Sequence, residues 1–302
     1  MTIAIVYFGG FLSLELLQKG IVFDVYNDDG ILIESGVRWS VSIWIILNIL
    51  LTLLSYPLIP LLEKGFGLTS DITLLELSDM DHPLLKRLSI EAPGTLQHSL
   101  QVANLSEVAA KKIGANALLL KVASLYHDIG KVEQAQHFIE NQSTFNPHDD
   151  LSAAESAKVI IQHVEKGVRL ARKHRLPNVL IDFIKTHHGT TSVAYFYNKH
   201  LKDIPSDQQL DESEFCYPGP KPFTKEQSIL MIADSIEAAS KSLQKPTADQ
   251  LDRLVDGIID AKIQKGQLTD SQLSFDELEQ IKIVLKELLK SIYHVRVEYP
   301  GQ

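Results

Sequence analysis

With 302 residues, 45% of them hydrophobic and 22% charged, the chain can bury one large core or two ordinary ones, which excludes a disordered polymer and a collagen-like repeat. The single cysteine, Cys216, excludes an internal disulfide. Lys and Arg number 29 against 38 Asp and Glu, a net charge of −9, the wrong sign for holding a nucleic-acid polymer on a broad basic surface.

The first 14 residues carry no charge before Glu15 interrupts them. That run is short for a span and lacks the basic start and small-residue cleavage site of a signal peptide, so it reads as the remnant of a membrane helix. Residues 18–40 form a polar linker in which Lys19 and Arg38 stand against Asp24, Asp28, Asp29 and Glu34, so positive charge does not fix an orientation. From Val41 to Leu62 the chain again carries no charge, a length that matches the about 20 residues of a bilayer-crossing helix. Trp44 and Tyr56 suit its two interfaces. Pro57 and Pro60 are expected to kink or end it, and Glu63 and Lys64 to mark the water side. Residues 1–64 are thus expected to be a membrane region with one or two transmembrane helices, and residues 65–302 a separate domain.

Beyond Thr69 the periodicity is helical. Apolar residues recur at three and four positions in Leu96, Leu100, Ala103, Val108 and Ala109, and in Ile229, Ile232, Ile236 and Ala239. Capping boxes pair Ser152 with Glu155, Thr224 with Gln227, Thr247 with Gln250 and Ser274 with Glu277, each marking a helix start. No alternating strand run or Asn-Gly hairpin signal appears in this part. An all-α bundle is expected, interrupted by a polar, acidic, Pro-rich loop over residues 200–222 that is either a solvated connection or a lid.

Eleven histidines are present. His82, His137, His174, His200 and His294 read as surface or satisfied core residues. His98, His127 with Asp128, His163, His187 with His188, and Asp234 form a different set, because imidazole plus carboxylate is the ligand chemistry of zinc, iron or manganese, and a carboxylate can bridge two ions. Adjacent residues on a helix point about 100° apart, so each pair can share a centre only near a helix end; Gly130 and Gly189 are expected to supply those ends. His98 follows the helix start at Pro93, His163 lies inside the helix begun by Ser152, and Asp234 inside the one begun by Thr224. Four or five helices can then aim ligands into one bundle interior.

The segment LYHDIGK (Leu125 to Lys131), with a histidine upstream and an aspartate downstream, resembles the HD phosphohydrolase superfamily and its HDIG branch. The segments LLELSDMDHPLLKRLSIEAPGTLQHS (Leu74 to Ser99), HHGTTSVAYFY (His187 to Tyr197), YPGPKP (Tyr217 to Pro222) and ADSIEAASKSL (Ala233 to Leu243) are similar to the seven-transmembrane HD family of cyclic di-AMP phosphodiesterases. This resemblance runs from about Ser40 to the C-terminus. It implies an HD-domain helical bundle with two divalent transition-metal ions, Mn2+ or Fe2+, one held by His98, His127, Asp128 and Asp234, the other by His163, His187 and His188, with Asp128 bridging. It further implies attack of metal-activated hydroxide on the phosphorus of a cyclic dinucleotide, giving 5'-pApA from cyclic di-AMP.

Lys131 is then expected to neutralise a phosphate oxygen or hold the hydroxide. Lys241, where relatives carry arginine, and Tyr195 are assigned to the substrate, although Tyr195, Phe196 and Tyr197 in a row also suit a core plus one exposed ring. Related hydrolases of cyclic di-GMP follow their histidine pair with Gly-Tyr-Pro, which this chain lacks. Members of the family have seven membrane helices and a large extracellular domain, so a fragment, or a sensor encoded elsewhere, is expected. The resemblance implies a place in the cytoplasmic membrane with the catalytic domain in the cytoplasm, and it allows a homodimer. Two alternatives stand beside it: a single-metal HD nucleotide phosphohydrolase, against which His163, His187 and His188 speak, and a non-catalytic nucleotide-binding membrane receptor, against which the complete ligand set speaks.

Overall fold

The computed structural model of the protein describes residues 2–142, 145–203 and 212–293. The chain divides into two compact units, Met1–Ser70 and Asp71–Gln302.

In the first unit, helix α1 (Thr2–Lys19) leads through a hairpin of β1 (Val25–Tyr26) and β2 (Leu32–Glu34) to helix α2 (Trp39–Phe66). Glu15, the charge that interrupts the first apolar run, is buried. Its carboxylate accepts from the Arg38 side chain at 3.0 and 2.5 Å and from the Arg38 backbone N–H at 3.2 Å, which ties the entry of α2 to α1. The linker is therefore more ordered than a polar loop: β1 pairs antiparallel with β2 across a turn in which Asn27 Oδ1 accepts from Asp29 and Ile31. Strands of two and three residues are too short to show an alternation, which is why the sequence gives no sign of them.

Helix α2 is bent rather than ended by its prolines. No single helix among the described residues is long and apolar enough to cross a membrane, but Trp39–Ser55 and Pro57–Glu63 meet that requirement as a pair bent by 45°. Pro57 has no N–H for the helical ladder and its ring crowds the preceding turn, so the axis turns there. The helix runs on to Phe66 and stops at Gly67, whose φ of 66° suits a left-handed cap.

The second unit is all-α among its described residues, apart from one isolated antiparallel bridge between Ser192 and Cys216. Its helices are α3 (Asp71–Leu77), α4 (Pro83–Glu91), α5 (Pro93–Ile113), α6 (Ala117–Tyr126), α7 (Ala153–Lys173), α8 (Asn178–Thr186), α9 (Ala194–Asp203), α10 (Lys225–Ser240), α11 (Ala248–Gln264) and α12 (Phe275–Ile292). A short 3-10 segment, Ile129–His137, follows α6. Helix α10 is central: Ile229, Leu230, Met231, Ile232 and Ala233 are buried in succession, so every side of it meets protein. The expected stripe on α5 is correct in direction but not in every member. Ala103 and Ala109 are buried and Leu96 and Val108 half-buried, whereas Leu100 is 40% exposed; Val102 and Leu105, outside the expected stripe, are buried too.

Three of the four expected capping boxes close reciprocally, at Ser152, Thr247 and Ser274. At the fourth, Thr224 accepts from Gln227 N–H, but the Gln227 side chain turns to the Phe223 amide instead. Residues 204–211 of the acidic loop, and His294, lie outside the described residues.

Gly130 departs from its expected role. It does not end a helix in the left-handed region; a Cβ there would collide with the His163 carbonyl oxygen and the Gly167 amide, so glycine lets the 3-10 segment lie directly on α7. Gly130→Ala should cost about 1–3 kcal/mol in thermal denaturation by overpacking. Gly257→Ala, in helix α11 where an added Cβ meets nothing within 4 Å, should instead stabilise by about 0.5–1 kcal/mol.

Candidate metal centre

All seven residues expected to be ligands come together. Helix α5 contributes His98, the end of α6 gives His127 and Asp128, α7 gives His163, the end of α8 gives His187 and His188, and α10 gives Asp234. Adjacent residues at the ends of α6 and α8 can both reach inward because the backbone leaves the helix there; Gly189, at φ +54°, makes the second exit. The donor atoms fall into two groups, each within 4.8 Å: Asp128, His163, His187 and His188, and His98, His127 and Asp234.

Asp128 stands between the two. Its Oδ2 lies 3.4 Å from His127 Nε2 and 3.6 Å from His98 Nε2, while Oδ1 lies 3.3 Å from His163 Nε2 and 3.6 Å from His187 Nε2. Asp234 Oδ1 is 3.0 Å from His98 Nε2, and its Oδ2 is 3.9 Å from His188 Nδ1.

The rings are oriented from behind. The Nδ1–H groups of His127, His163 and His187 donate to the carbonyl oxygens of Ser124, Ile160 and Ile184, three residues earlier in each case. A carbonyl can only accept, so the hydrogen sits on Nδ1 and the Nε2 lone pair is left for the interior. His98 differs: its Nδ1 meets the buried carboxylate of Glu237, which is in turn paired with Lys241 at 2.7 Å.

Burial opposes charge on Asp128, but Lys131 and His127 outweigh it and hold its carboxyl well below the usual range. Asp234 is held low in the same way by His127 and His98. Burial likewise opposes charge on His127, yet Asp128 and Asp234 push its pKa up to about 10. The two carboxylates therefore call for positive charge at this point, and a divalent cation meets that call more fully than a proton. His188 is held far below its usual value by burial and by His187 and His163, so it presents a neutral ring. Among the described residues, His127 Nε2 and Asp128 Oδ1 are buried without a hydrogen-bond partner. Both are atoms of metal-ligating type, and the donor set fits divalent cations.

Lys131 is not a solvated lysine. Its ammonium lies 2.7 Å from Asp128 Oδ2 and 2.9 Å from Glu140 Oε1, over the Phe138 ring. Lys241 spends its charge on Glu237, and Tyr195 is 73% exposed with its edge to Phe196. Sequence reasoning did not single out Glu237, although it follows Asp234 by three residues and so shares its helix face. It also missed Glu140, and Tyr217, whose buried ring stacks on His188 at 4.2 Å. His148, the remaining histidine, is buried away from this cluster and donates from Nε2 to the His137 carbonyl.

Residues 95–239 match the family model of the HD domain. The chain is 46% identical over 244 residues to cyclic-di-AMP phosphodiesterase PgpH of Bacillus subtilis (strain 168), covering 80% of this chain and 34% of that protein. It is 42% identical over 249 residues to cyclic-di-AMP phosphodiesterase PgpH of Listeria monocytogenes serotype 1/2a (strain 10403S), covering 82% and 34%. The crystal structure of the L. monocytogenes PgpH HD domain in complex with cyclic-di-AMP matches with a TM-score of 0.68 at 42% identity, covering 72% of this chain and all of that one. The chain therefore belongs to the HD domain family, and within it to the PgpH HD domains. It spans about a third of the length of these curated relatives.

Removing the support behind His98 should loosen one side of the centre. Glu237→Ala should weaken manganese binding by about tenfold to a hundredfold in a calorimetric titration, and Glu237→Gln, which keeps an acceptor, should lose less.

Proposed function

We propose that this chain is a membrane-tethered phosphodiesterase that uses two divalent transition ions, Mn2+ or Fe2+, to hydrolyse cyclic di-AMP to 5'-pApA. The observation that carries this is the position of Asp128, with one oxygen turned to His98 and His127 and the other to His163 and His187. A single-metal site has no use for the second group. The names of the relatives and the cyclic-di-AMP complex of the matching HD domain support the substrate.

In this reading His98, His127, Asp128 and Asp234 hold one ion, and His163, His187, His188 and Asp128 the other. The ions, when bound, lower the pKa of water and stabilise charge at phosphorus. Lys131 keeps Asp128 ionised and carries a positive charge to the reacting region, where negative charge develops on phosphate oxygens. The pairing of Lys241 with Glu237 favours a part in holding His98 over a phosphate clamp, and the exposed ring of Tyr195 is free to meet a base. The membrane tether is supported by the apolar surface of α2, where Ile43, Trp44, Leu50, Leu54 and Leu61 are all exposed. Residues after Glu63 face the cytoplasm, where a cyclic dinucleotide messenger is met.

Incubation of the purified chain with manganese or iron and either cyclic di-AMP or cyclic di-GMP, with products separated by chromatography, should give pApA from the first and little turnover of the second. Chelation should stop the reaction. Elemental analysis should find two ions per active chain, and Asp128→Ala should abolish turnover; one ion per active chain would overturn the binuclear assignment. Lys131→Ala should lower kcat by about tenfold to a thousandfold with both ions retained. Reporter fusions at Lys64 and within residues 18–40 should give opposite signals, and a periplasmic signal at Lys64 would defeat the proposed orientation.

A further inference from the structure

Helix α11 turns Leu251, Val255 and Ile259 into the core, four residues apart. Lys262 continues that stripe one turn later and is half-buried where the pattern asks for an apolar side chain. A charge drawn out of water is costly without a partner. Lysines on α12 and at the start of α10 have theirs: Lys282, Lys286 and Lys290 of α12 pair with Asp260, Asp256 and Asp252 of α11, and Lys225 pairs with Glu277. Among the described residues, Lys262 has neither an ion pair nor a side-chain hydrogen bond.

Its surroundings lead to the metal centre. Helix α11 packs along α10, which carries Asp234. The Lys262 carbonyl accepts from the Gln267 amide at 2.9 Å. Gln267, itself buried, accepts from the Thr190 amide at 3.0 Å, two residues past His188. Lys221 reaches the same turn, 3.5 Å from Thr269 Oγ1, on the segment whose Tyr217 stacks on His188. Burial lowers the pKa of Lys262, and the field of Asp234 opposes that shift while Lys265 adds to it. Lys262 is thus a half-buried cation on the last turn of α11, the turn that Gln267 joins to the loop just after His188.

A cyclic dinucleotide carries two phosphodiester groups, and only one can sit at the ions. In a chain of net charge −9, the other needs a local cation. We infer that Lys262 receives the uncleaved phosphodiester of the cyclic dinucleotide, an inference that rests on the phosphodiesterase reading above. It is a binding residue that acts on capture, separate from the bond-breaking step.

Steady-state kinetics of the full manganese-loaded chain on cyclic di-AMP test this, with metal content measured on each variant. Lys262→Met, which keeps the stem and removes the charge, should raise KM at least tenfold, leave kcat within about twofold and retain both ions, and Lys262→Arg should restore KM to within about threefold. An unchanged KM in Lys262→Met overturns the inference, as does a loss of kcat or metal that Lys262→Arg fails to restore, since that is the mark of a structural role. If the wild-type chain leaves cyclic di-AMP intact, the phosphodiesterase reading itself fails; if it cleaves it and Lys262→Met behaves as wild type, only the role of Lys262 is lost.

Discussion

A buried carboxylate between two groups of imidazoles sets the terms for the rest of the second unit. Asp128 is almost without solvent contact, and an ion so placed costs several kcal/mol unless its neighbours compensate. Lys131 supplies a full positive charge at 2.7 Å, and Glu140 holds that lysine from its other side. Because Asp128 lies where α6 gives way to the 3-10 segment, the backbone must come close to α7 to bring it to His163. Gly130, lying directly against the His163 carbonyl and close to Gly167, is what permits that approach.

The five contributing helices then hold these side chains in place as well as forming the core. Three of the histidines use the same local device, a hydrogen bond from Nδ1 to the carbonyl three residues earlier, so that each helix orients its own ring. The other two depend on distant parts of the chain. His98 leans on Glu237 of α10, and His188 is covered by Tyr217 from the segment before α10. Such supporting contacts govern ligand geometry as much as the ligands do. Helix α10 supplies Asp234, Glu237 and much of the core, and is buried over most of its length.

In the first unit the same logic acts on a smaller scale. Glu15 is the one acidic group in α1, and it is buried because Arg38 neutralises it and the start of α2 offers it a backbone N–H. The hairpin between them brings the two partners together across 23 positions of sequence. The unit presents the apolar side chains of α2 outward.

Residue type and spacing by themselves determined the all-α character of the second unit, its helix starts at Ser152, Thr247 and Ser274, and the seven residues that meet at the centre. These are local matters: a capping box needs four residues, a helical stripe needs about two turns, and histidine and aspartate declare their chemistry wherever they stand. The apolar run over α2 was equally plain, while the choice between a bend and an end at its prolines was left to the structure. What the sequence left open depends on contacts between segments far apart. The two-residue strands of the hairpin carry no pattern of their own, and Leu100 turned outward because its neighbours, not its hydrophobicity, chose the buried face of α5. Glu237 looked like any helical glutamate, and Lys262 like any surface lysine at a helix end. Only the tertiary structure decided that one stands behind His98 and that the other lies half-buried with no counter-ion among the described residues, because the energy of a charge is set by what surrounds it and not by its place in the chain.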